Sequence, residues 1–187
     1  MYWTTAGPIN TDNTIKLALE RAKETGISYL VVASCSGQTA SRVLEAKPDG
    51  LNIVAVTHHV GFAGPGVDEM PEKVRADLIR ANVKILTTTH LFAGVDRAIR
   101  NQFGGVYPAE IMAQTLRIFG QGVKVAVEIG VMALDAGLIP YGEDIISLGG
   151  TAEGVDAAII MRPAHSNQFF KTEVREIICM PASKSKG

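Results

Sequence analysis

The chain has few of the features that would place it in a membrane, on nucleic acid or in an oxidising compartment. Among 187 residues there are two cysteines, Cys35 and Cys179, too far apart for a metal spacing and too few for a disulfide framework. Acidic and basic residues number 19 and 18, so the net charge is −1 and no nucleic-acid surface is indicated. The most apolar stretch, residues 123–139, contains Lys124 and Glu128, which argues against a membrane span. We therefore expect a reduced, cytoplasmic protein with neither membrane nor nucleic acid as partner.

What the chain has in quantity is hydrophobic residues, which make up 47% of it, against 20% charged residues. A parallel sheet covered by helices on both faces has this composition, because its strands are buried on both sides. A length of 187 residues fits one domain. We therefore expect residues 1–187 to form a single α/β domain.

Helices and strands are predicted to alternate along the chain. We predict a helix from residues 11–13 to Gly26, a strand over 27–33, a helix over 39–47, a strand over 52–57, a helix from Pro71 and a strand over 83–86. Residues 91–107 are predicted to be irregular, with a single helical turn. A helix from Pro108 is broken by Gly120 and Gly122, and a buried helix follows over 123–136. Strands over 144–148, 155–161 and 173–180 complete the chain, the last antiparallel at an edge. This order indicates a mostly parallel sheet with right-handed crossovers.

Small polar residues follow the first predicted strand, at the point where it runs into a helix. They are Ser34, Cys35, Ser36, Gly37, Gln38 and Thr39. Free backbone N–H groups and the positive end of the helix would point into this loop, which favours an anionic phosphate as ligand. The loop has no P-loop lysine, so nucleoside triphosphate hydrolysis is not indicated. An ordinary helix cap by Ser36 is the competing interpretation.

Three further strand ends carry residues suited to a ligand, and the carboxyl ends of parallel strands meet at one edge of an open sheet. They are Thr57-His58-His59, Thr87-Thr88-Thr89-His90 and Gly149-Gly150-Thr151. We expect Thr57, His58 and the loop over 149–151 to bind the same ligand as residues 34–39. His58, His59 and His90 are candidates for acid–base chemistry, and no role is expected for His165.

No metal site is predicted, because the adjacent side chains of His58 and His59 diverge on a strand. Cys35 lies at a helix start, a location that lowers the pKa of a thiol, although a small half-buried side chain without function is the alternative. The glycine-rich segment over 58–66 is either a lid over a ligand or a connection.

Residues 30–57 resemble the C-terminal domain of pyruvate kinase. The matching residues are Ser34-Cys35-Ser36-Gly37-Gln38-Thr39-Ala40, Lys47-Pro48 and Ile53-Val54-Ala55-Val56-Thr57, with a weaker match at Gly142-Glu143-Asp144 and Gly149-Gly150-Thr151. Residues 58–140 do not match well. As a whole the chain is similar to stand-alone pyruvate kinase C-terminal-domain-like proteins of archaea and bacteria.

This resemblance implies a three-layer α/β/α fold. In allosteric pyruvate kinases the matching loop holds the phosphate of a sugar-phosphate effector, which implies Ser34, Ser36, Gly37 and Thr39 as phosphate ligands. Some relatives are associated with flavin mononucleotide (FMN). The chemistry of pyruvate kinase belongs to a separate barrel domain of about 250 residues, for which this chain has no room, so no pyruvate kinase activity is expected.

Three functions remain open on the sequence. The first is binding of a phosphate-bearing small molecule, with FMN expected before a sugar phosphate. The second is an enzyme, either a flavin-dependent oxidoreductase or a phosphosugar enzyme, that uses His58, His59 or His90. The third is a regulatory or assembly module in which the apolar helix over 123–138 is partly an interface. Formation of a homo-oligomer is compatible with all three.

Overall fold

The computed structural model describes residues 1–46 and 50–184. The elements in chain order are β1 (Tyr2–Trp3), α1 (Thr11–Thr25), β2 (Tyr29–Ala33), α2 (Gln38–Glu45), β3 (Asn52–Thr57), α3 (Glu72–Arg80), β4 (Lys84–Thr87), α4 (Val95–Phe103), α5 (Pro108–Leu116), α6 (Gln121–Asp135), β5 (Ile145–Gly149), β6 (Ala157–Arg162) and β7 (Glu173–Pro181). Segments of 3-10 helix occupy Pro8–Asn10, Arg117–Phe119 and Ser166–Lys171. The end of the predicted helix over 39–47 lies outside the described residues.

Seven strands of the described ranges form one sheet, in the order β1-β7-β6-β5-β2-β3-β4. The neighbours β5, β2, β3 and β4 are parallel, whereas β6 is antiparallel to both β5 and β7. The last strand, β7, is antiparallel to β6 as predicted. The predicted position of β7 at the edge of the sheet is wrong, because β1 pairs with its other side. Residues Tyr2 and Trp3 pair with Met180 and Pro181 and add the outer strand β1, and a two-residue strand is too short to show a periodic pattern.

Helices cover both faces of the sheet. On β2, Leu30 and Val32 face one side, where they join the cluster that contains the buried residues of α1, α2 and α3. Val31 faces the other side, where it joins the cluster that contains α6. Each of these three β2 residues is fully buried. The predicted three-layer α/β/α fold with a mostly parallel sheet is confirmed.

Two predictions about helices are wrong. Residues 95–103, expected to be irregular, form the helix α4. Gly122, expected to break a helix, lies in the first turn of α6, and Gly120 alone separates α6 from the preceding turn. A Cβ atom on Gly122 would lie 2.3 Å from Asp156 Oδ1 and 2.8 Å from Ala157 Cβ. Glycine is therefore needed at this position because α6 presses directly on β6.

The apolar helix α6 is a core element of the fold. From Gly122 to Leu134 every residue except Val125 is buried. Because the sheet and its neighbours already cover it, the predicted role of this helix as an interface is wrong. In the described part of the chain, no helix combines the length and the apolar character needed to cross a membrane.

Candidate functional site

The candidate site lies beside the carboxyl ends of the four parallel strands β5, β2, β3 and β4. The chain adds β3 and β4 on one side of β2 and then crosses over through α4, α5 and α6 to place β5 on the other side. The direction of strand addition therefore reverses between β2 and β5. Open α/β sheets bind their ligands beside the carboxyl ends of the strands at such a switch point.

A cavity of about 140 Å³ lies here, between the strand ends and the helix α6. Four residues singled out from the sequence contribute to its lining, namely Cys35, Thr57, His58 and His90. The residues that the sequence reasoning missed come from the crossover, namely Arg97, Arg117, Gln121, Lys124 and Glu128. The fold therefore brings together residues that are up to 96 positions apart in the sequence, from Ala33 to Ile129.

The loop over 34–39 is only partly directed at this cavity. The Ser34 hydroxyl is buried and accepts a hydrogen bond from the N–H of Ala40 at 3.1 Å, so Ser34 caps α2. A Cβ atom on Gly37, which has φ +87°, would lie 2.4 Å from Val74 Cγ1, so this glycine lets α3 approach the loop. Thr39 is buried. The exposed residues Ser36 and Gln38 line a separate shallow depression on the outside of α2.

The second predicted loop is even more closely packed. Gly149 is the buried last residue of β5, and a Cβ atom there would lie 2.1 Å from the carbonyl oxygen of Gly122 in α6. A Cβ atom on Gly150 would lie 2.0 Å from the carbonyl oxygen of Gly154. Thr151 lines a second cavity, of about 240 Å³, which shares Arg117 and Gln121 with the first. Thr151 therefore adjoins the site, but its side chain is hydrogen-bonded to Asp156.

The candidate histidines form one cluster together with Phe62 of the glycine-rich segment. The ring of His58 stacks on Phe62 with centroids 3.7 Å apart, and the ring of His90 lies 5.3 Å from that of His58 and 6.2 Å from that of His59. His58 Nδ1 lies 2.7 Å from Glu69 Oε2. His59 does not line the 140 Å³ cavity, whereas Phe62 does. Phe62 therefore covers the histidine end of the cavity.

Burial sets the protonation states of two groups in the cavity. It lowers the pKa of His90, although Glu128 opposes this shift, so His90 is neutral at pH 7. Its Nε2 lies 3.3 Å from the carbonyl oxygen of Thr57, which places the proton on Nε2. Burial raises the pKa of Cys35 to about 11. The lowered thiol pKa expected from the helix start is therefore wrong, because desolvation of the thiolate outweighs the hydrogen bond from the backbone of His58, and the Glu69 carboxylate adds to the rise in pKa.

A buried ion pair forms the floor of the cavity on α6. Lys124 and Glu128 are one helical turn apart, and Lys124 Nζ contacts Glu128 Oε2 with both side chains more than nine-tenths buried. The other carboxylate oxygen accepts a hydrogen bond from the N–H of Phe92 at 2.9 Å. Burial lowers the pKa of Lys124, Glu128 opposes this shift, and the nearby guanidinium groups of Arg117 and Arg97 add to it.

Arg117 stands at the junction of three cavities. Its Nε donates to Gln121 Oε1 at 2.6 Å, and no described residue accepts a hydrogen bond from its two terminal nitrogens. It lines the cavities of about 140 and 240 Å³ and also a groove of about 840 Å³ between α4 and α5. Arg97 lines the same groove and the smallest cavity.

Within the described ranges, no group of three or more histidine, cysteine, aspartate or glutamate side chains is arranged to hold a metal ion. His165 lies away from the site, with Nδ1 2.9 Å from Asp135 Oδ1 and its ring stacked on Tyr141.

Residues 12–161 match the model of the family described as pyruvate kinase, alpha/beta domain. This match covers most of the chain, and the protein therefore belongs to that family. Among solved structures, the chain is similar to a pyruvate kinase from Cryptosporidium parvum, with 15% identity and a TM-score of 0.41. It is also similar to the C. parvum pyruvate kinase in complex with ADP, with 17% identity and a TM-score of 0.40. In both cases 80% of this chain is matched, but it spans only 22% of the length of the enzyme.

Proposed function

We propose that the strand-end cleft binds a phosphate-bearing small molecule and that FMN is its ligand. The observation that carries this proposal is the convergence of Arg97, Arg117 and Lys124 on one cavity at the switch point of the sheet. Lys124 is already neutralised by Glu128, so the two arginines supply the net positive charge. Guanidinium groups suit phosphate because they donate parallel hydrogen bonds to two of its oxygens.

The size and polarity of the adjoining groove fit the rest of FMN. Its volume of about 840 Å³ lies within the range of roughly 300–1,000 Å³ found for small-molecule sites. Val106, Ile111 and Ile118 provide apolar contacts for a flat ring system, while Arg117 would hold the phosphate at the end of the groove. When bound, the flavin would supply hydride or single-electron transfer. A sugar phosphate would use the same arginines but has no apolar part for these contacts.

Fluorescence titration of the purified chain with FMN tests this proposal, and riboflavin, which lacks the phosphate, is the matched ligand. We expect FMN to bind about tenfold or more tightly than riboflavin, because a hydrogen bond to a charged group contributes about 1.5–3 kcal/mol. Arg117→Gln should weaken binding of FMN by a similar factor and leave riboflavin unchanged. Arg162→Gln is the control, since Arg162 pairs with Asp144 beside the amino end of β5, at the opposite end of the strands from the cleft.

Equal affinity for FMN and riboflavin, or no binding of FMN at millimolar concentration, would refute FMN as the ligand. If fructose 1,6-bisphosphate instead raised the melting temperature, and Arg117→Gln abolished that shift, the phosphate site would stand with a different ligand. If no phosphorylated compound bound, the whole proposal would fail.

The histidine cluster favours a second candidate function, that of an enzyme that moves a proton in the same cleft. The contact of 2.7 Å between His58 and Glu69 is the arrangement in which a carboxylate orients an imidazole for general base catalysis. Neutral His90, 5.3 Å away between ring centroids, would be the partner. Incubation of phosphosugars with the protein in D₂O tests this function by NMR, because proton abstraction next to a carbonyl introduces deuterium. Loss of the exchange in His58→Asn, with ligand binding retained, would support it.

We propose that the cleft binds a phosphate group and does not transfer it. The loop over 34–39 has no lysine that could reach a γ-phosphate. We propose that residues 1–187 form a single unit without pyruvate kinase activity of its own, which a coupled assay with phosphoenolpyruvate and ADP would check.

A further inference from the structure

The glycine-rich segment after β3 forms a loop over the histidine end of the cavity. The two ends of this loop meet where His58 Nδ1 lies 2.7 Å from Glu69 Oε2. The returning end is also held by Asp68, which accepts a hydrogen bond from Arg75 of α3 at 2.7 Å. Compact surface loops of about 6–16 residues whose ends lie close together are frequently functional. Between these fixed ends lies the segment over 59–67, which we call the 59–67 loop.

The 59–67 loop is held together by its own backbone. The N–H of Gly61 donates to the carbonyl oxygen of Val67 at 2.8 Å, and the N–H of Val67 donates to that of Gly64 at 3.0 Å. The N–H of Phe62 donates to the carbonyl oxygen of His59 at 3.2 Å. Within the described residues, no hydrogen bond joins this loop to another part of the chain. The loop can therefore change its position as one body without losing a hydrogen bond.

Phe62 supplies the ring contacts between this loop and the rest of the molecule. Its ring stacks on His58 with centroids 3.7 Å apart and lies 6.1 Å from the ring of His90. Among residues 59–67, all of them described, Phe62 alone lines the 140 Å³ cavity. The other large apolar side chains of the loop, Val60 and Val67, are 49% and 47% exposed. A segment with so few buried apolar contacts opens more readily than the core around it.

We propose that residues 59–67 form a hinged lid, which opens the histidine end of the cavity when Phe62 leaves His58. The cavity then has two entrances. Its other end, lined by Arg97 and Arg117, adjoins the groove of about 840 Å³, so a ligand in that groove does not have to pass under the lid. Opening gives water or a second molecule access to the histidine cluster, and closure excludes both. The proposal concerns access to the cavity and does not rest on the identity of the ligand.

Cys35 provides a measure of the position of the lid, because it lies beneath the point where the ends of the lid meet. Its thiol accepts a hydrogen bond from the backbone of His58 and is close enough to the Glu69 carboxylate to be affected by its charge. It also lines the cavity that Phe62 covers. The other cysteine, Cys179, is fully buried. The rate at which Cys35 is alkylated should therefore follow the fraction of molecules in which the lid is open.

Alkylation of the full chain by iodoacetamide at one fixed pH, with Cys35 located by peptide mass mapping, tests the proposal. We expect Phe62→Ala to react roughly tenfold faster than wild type, because this variant loses the aromatic contact that holds the lid closed. Val60→Ala is the matched control, since Val60 belongs to the same lid but does not line the cavity, and it should react at the rate of wild type. Phe62 is 43% exposed, so the variant should remain folded, which circular dichroism checks. Equal rates for Phe62→Ala and wild type would overturn the proposal.

NMR relaxation dispersion of the backbone nitrogen nuclei distinguishes a lid that moves from a cover that is fixed. In wild type, a lid that moves as one body gives a single exchange rate at the non-proline positions of 59–67 and no such exchange in α3. Phe62→Ala should increase the open population by the same factor as the rate of alkylation. Absence of dispersion over 59–67, or different rates at different positions of the loop, would show that it does not move as one body and would also overturn the proposal.

Discussion

Replacing Lys124 by methionine should destabilise the protein by about 3–5 kcal/mol at pH 7, the cost of removing one partner from a buried ion pair. The side chains of Lys124 and Glu128 are only 8% and 4% exposed, so water cannot solvate the carboxylate that remains. Methionine has nearly the same length and volume as lysine, so the change removes charge without opening a cavity. The N–H of Phe92 still donates to Glu128 Oε1 and offsets a part of the loss.

Urea unfolding followed by circular dichroism at pH 7 measures this effect. Lys16→Met is the matched control, because Lys16 and Glu20 have the same four-residue spacing at 4.0 Å but are 72% and 54% exposed. A surface pair of this kind contributes less than about 1 kcal/mol. A loss below about 1 kcal/mol for Lys124→Met, or an equal loss for Lys16→Met, would refute the reasoning.

Two further predictions separate packing from ligand binding among the residues at the strand ends. Gly149→Ala should lower the melting temperature by roughly 5–10 °C or more without any ligand present, since the new Cβ would lie 2.1 Å from the Gly122 carbonyl oxygen. Gly64→Ala, whose Cβ would meet only Val67 at 3.6 Å, should leave it unchanged, and an unaffected Gly149→Ala would contradict this assignment. Alkylation of Cys35 by iodoacetamide, located by peptide mass mapping, should accelerate up to pH 10 and beyond because burial raises its pKa to about 11. A rate that levels off by pH 9 would contradict the role of burial.

Elements with one buried face could be predicted from the sequence, because burial imposes a period on the residues. The helix α1 ends at Gly26, which adopts φ +70°, and β3 has the predicted bounds. The helix α4 could not be found in this way, because its apolar side chains do not face the core of the chain that carries them. It is also short and lies between Gly94 and Gly104, which lowers the helical preference of the segment.

The residues of the site also fall into those that the sequence could predict and those that it could not. The strand-end residues Cys35, Thr57, His58 and His90 could be predicted to lie close together, because the topology of a parallel sheet gathers them at one edge. Arg97, Arg117 and Lys124 could not, since each is a single basic residue on a different element, and only the crossover from β4 to β5 brings them together. Gly149 was predicted to bind a ligand but instead packs against α6. The sequence could not separate these two roles, because a glycine at a strand end is compatible with the close approach of either a phosphate or a helix.

The loop over 34–39 therefore serves the site mainly through the backbone that it positions. Ser34 is committed to capping α2 and Gly37 to the contact with α3, while the exposed side chains of Ser36 and Gln38 face a separate depression outside the cavity. The free positive charge comes instead from the crossover between β4 and β5. If phosphate binding is retained throughout the family, the choice of ligand should then vary with this crossover. Transplanting residues 91–119 between relatives should accordingly transfer ligand preference, whereas exchanging the loop over 34–39 should not.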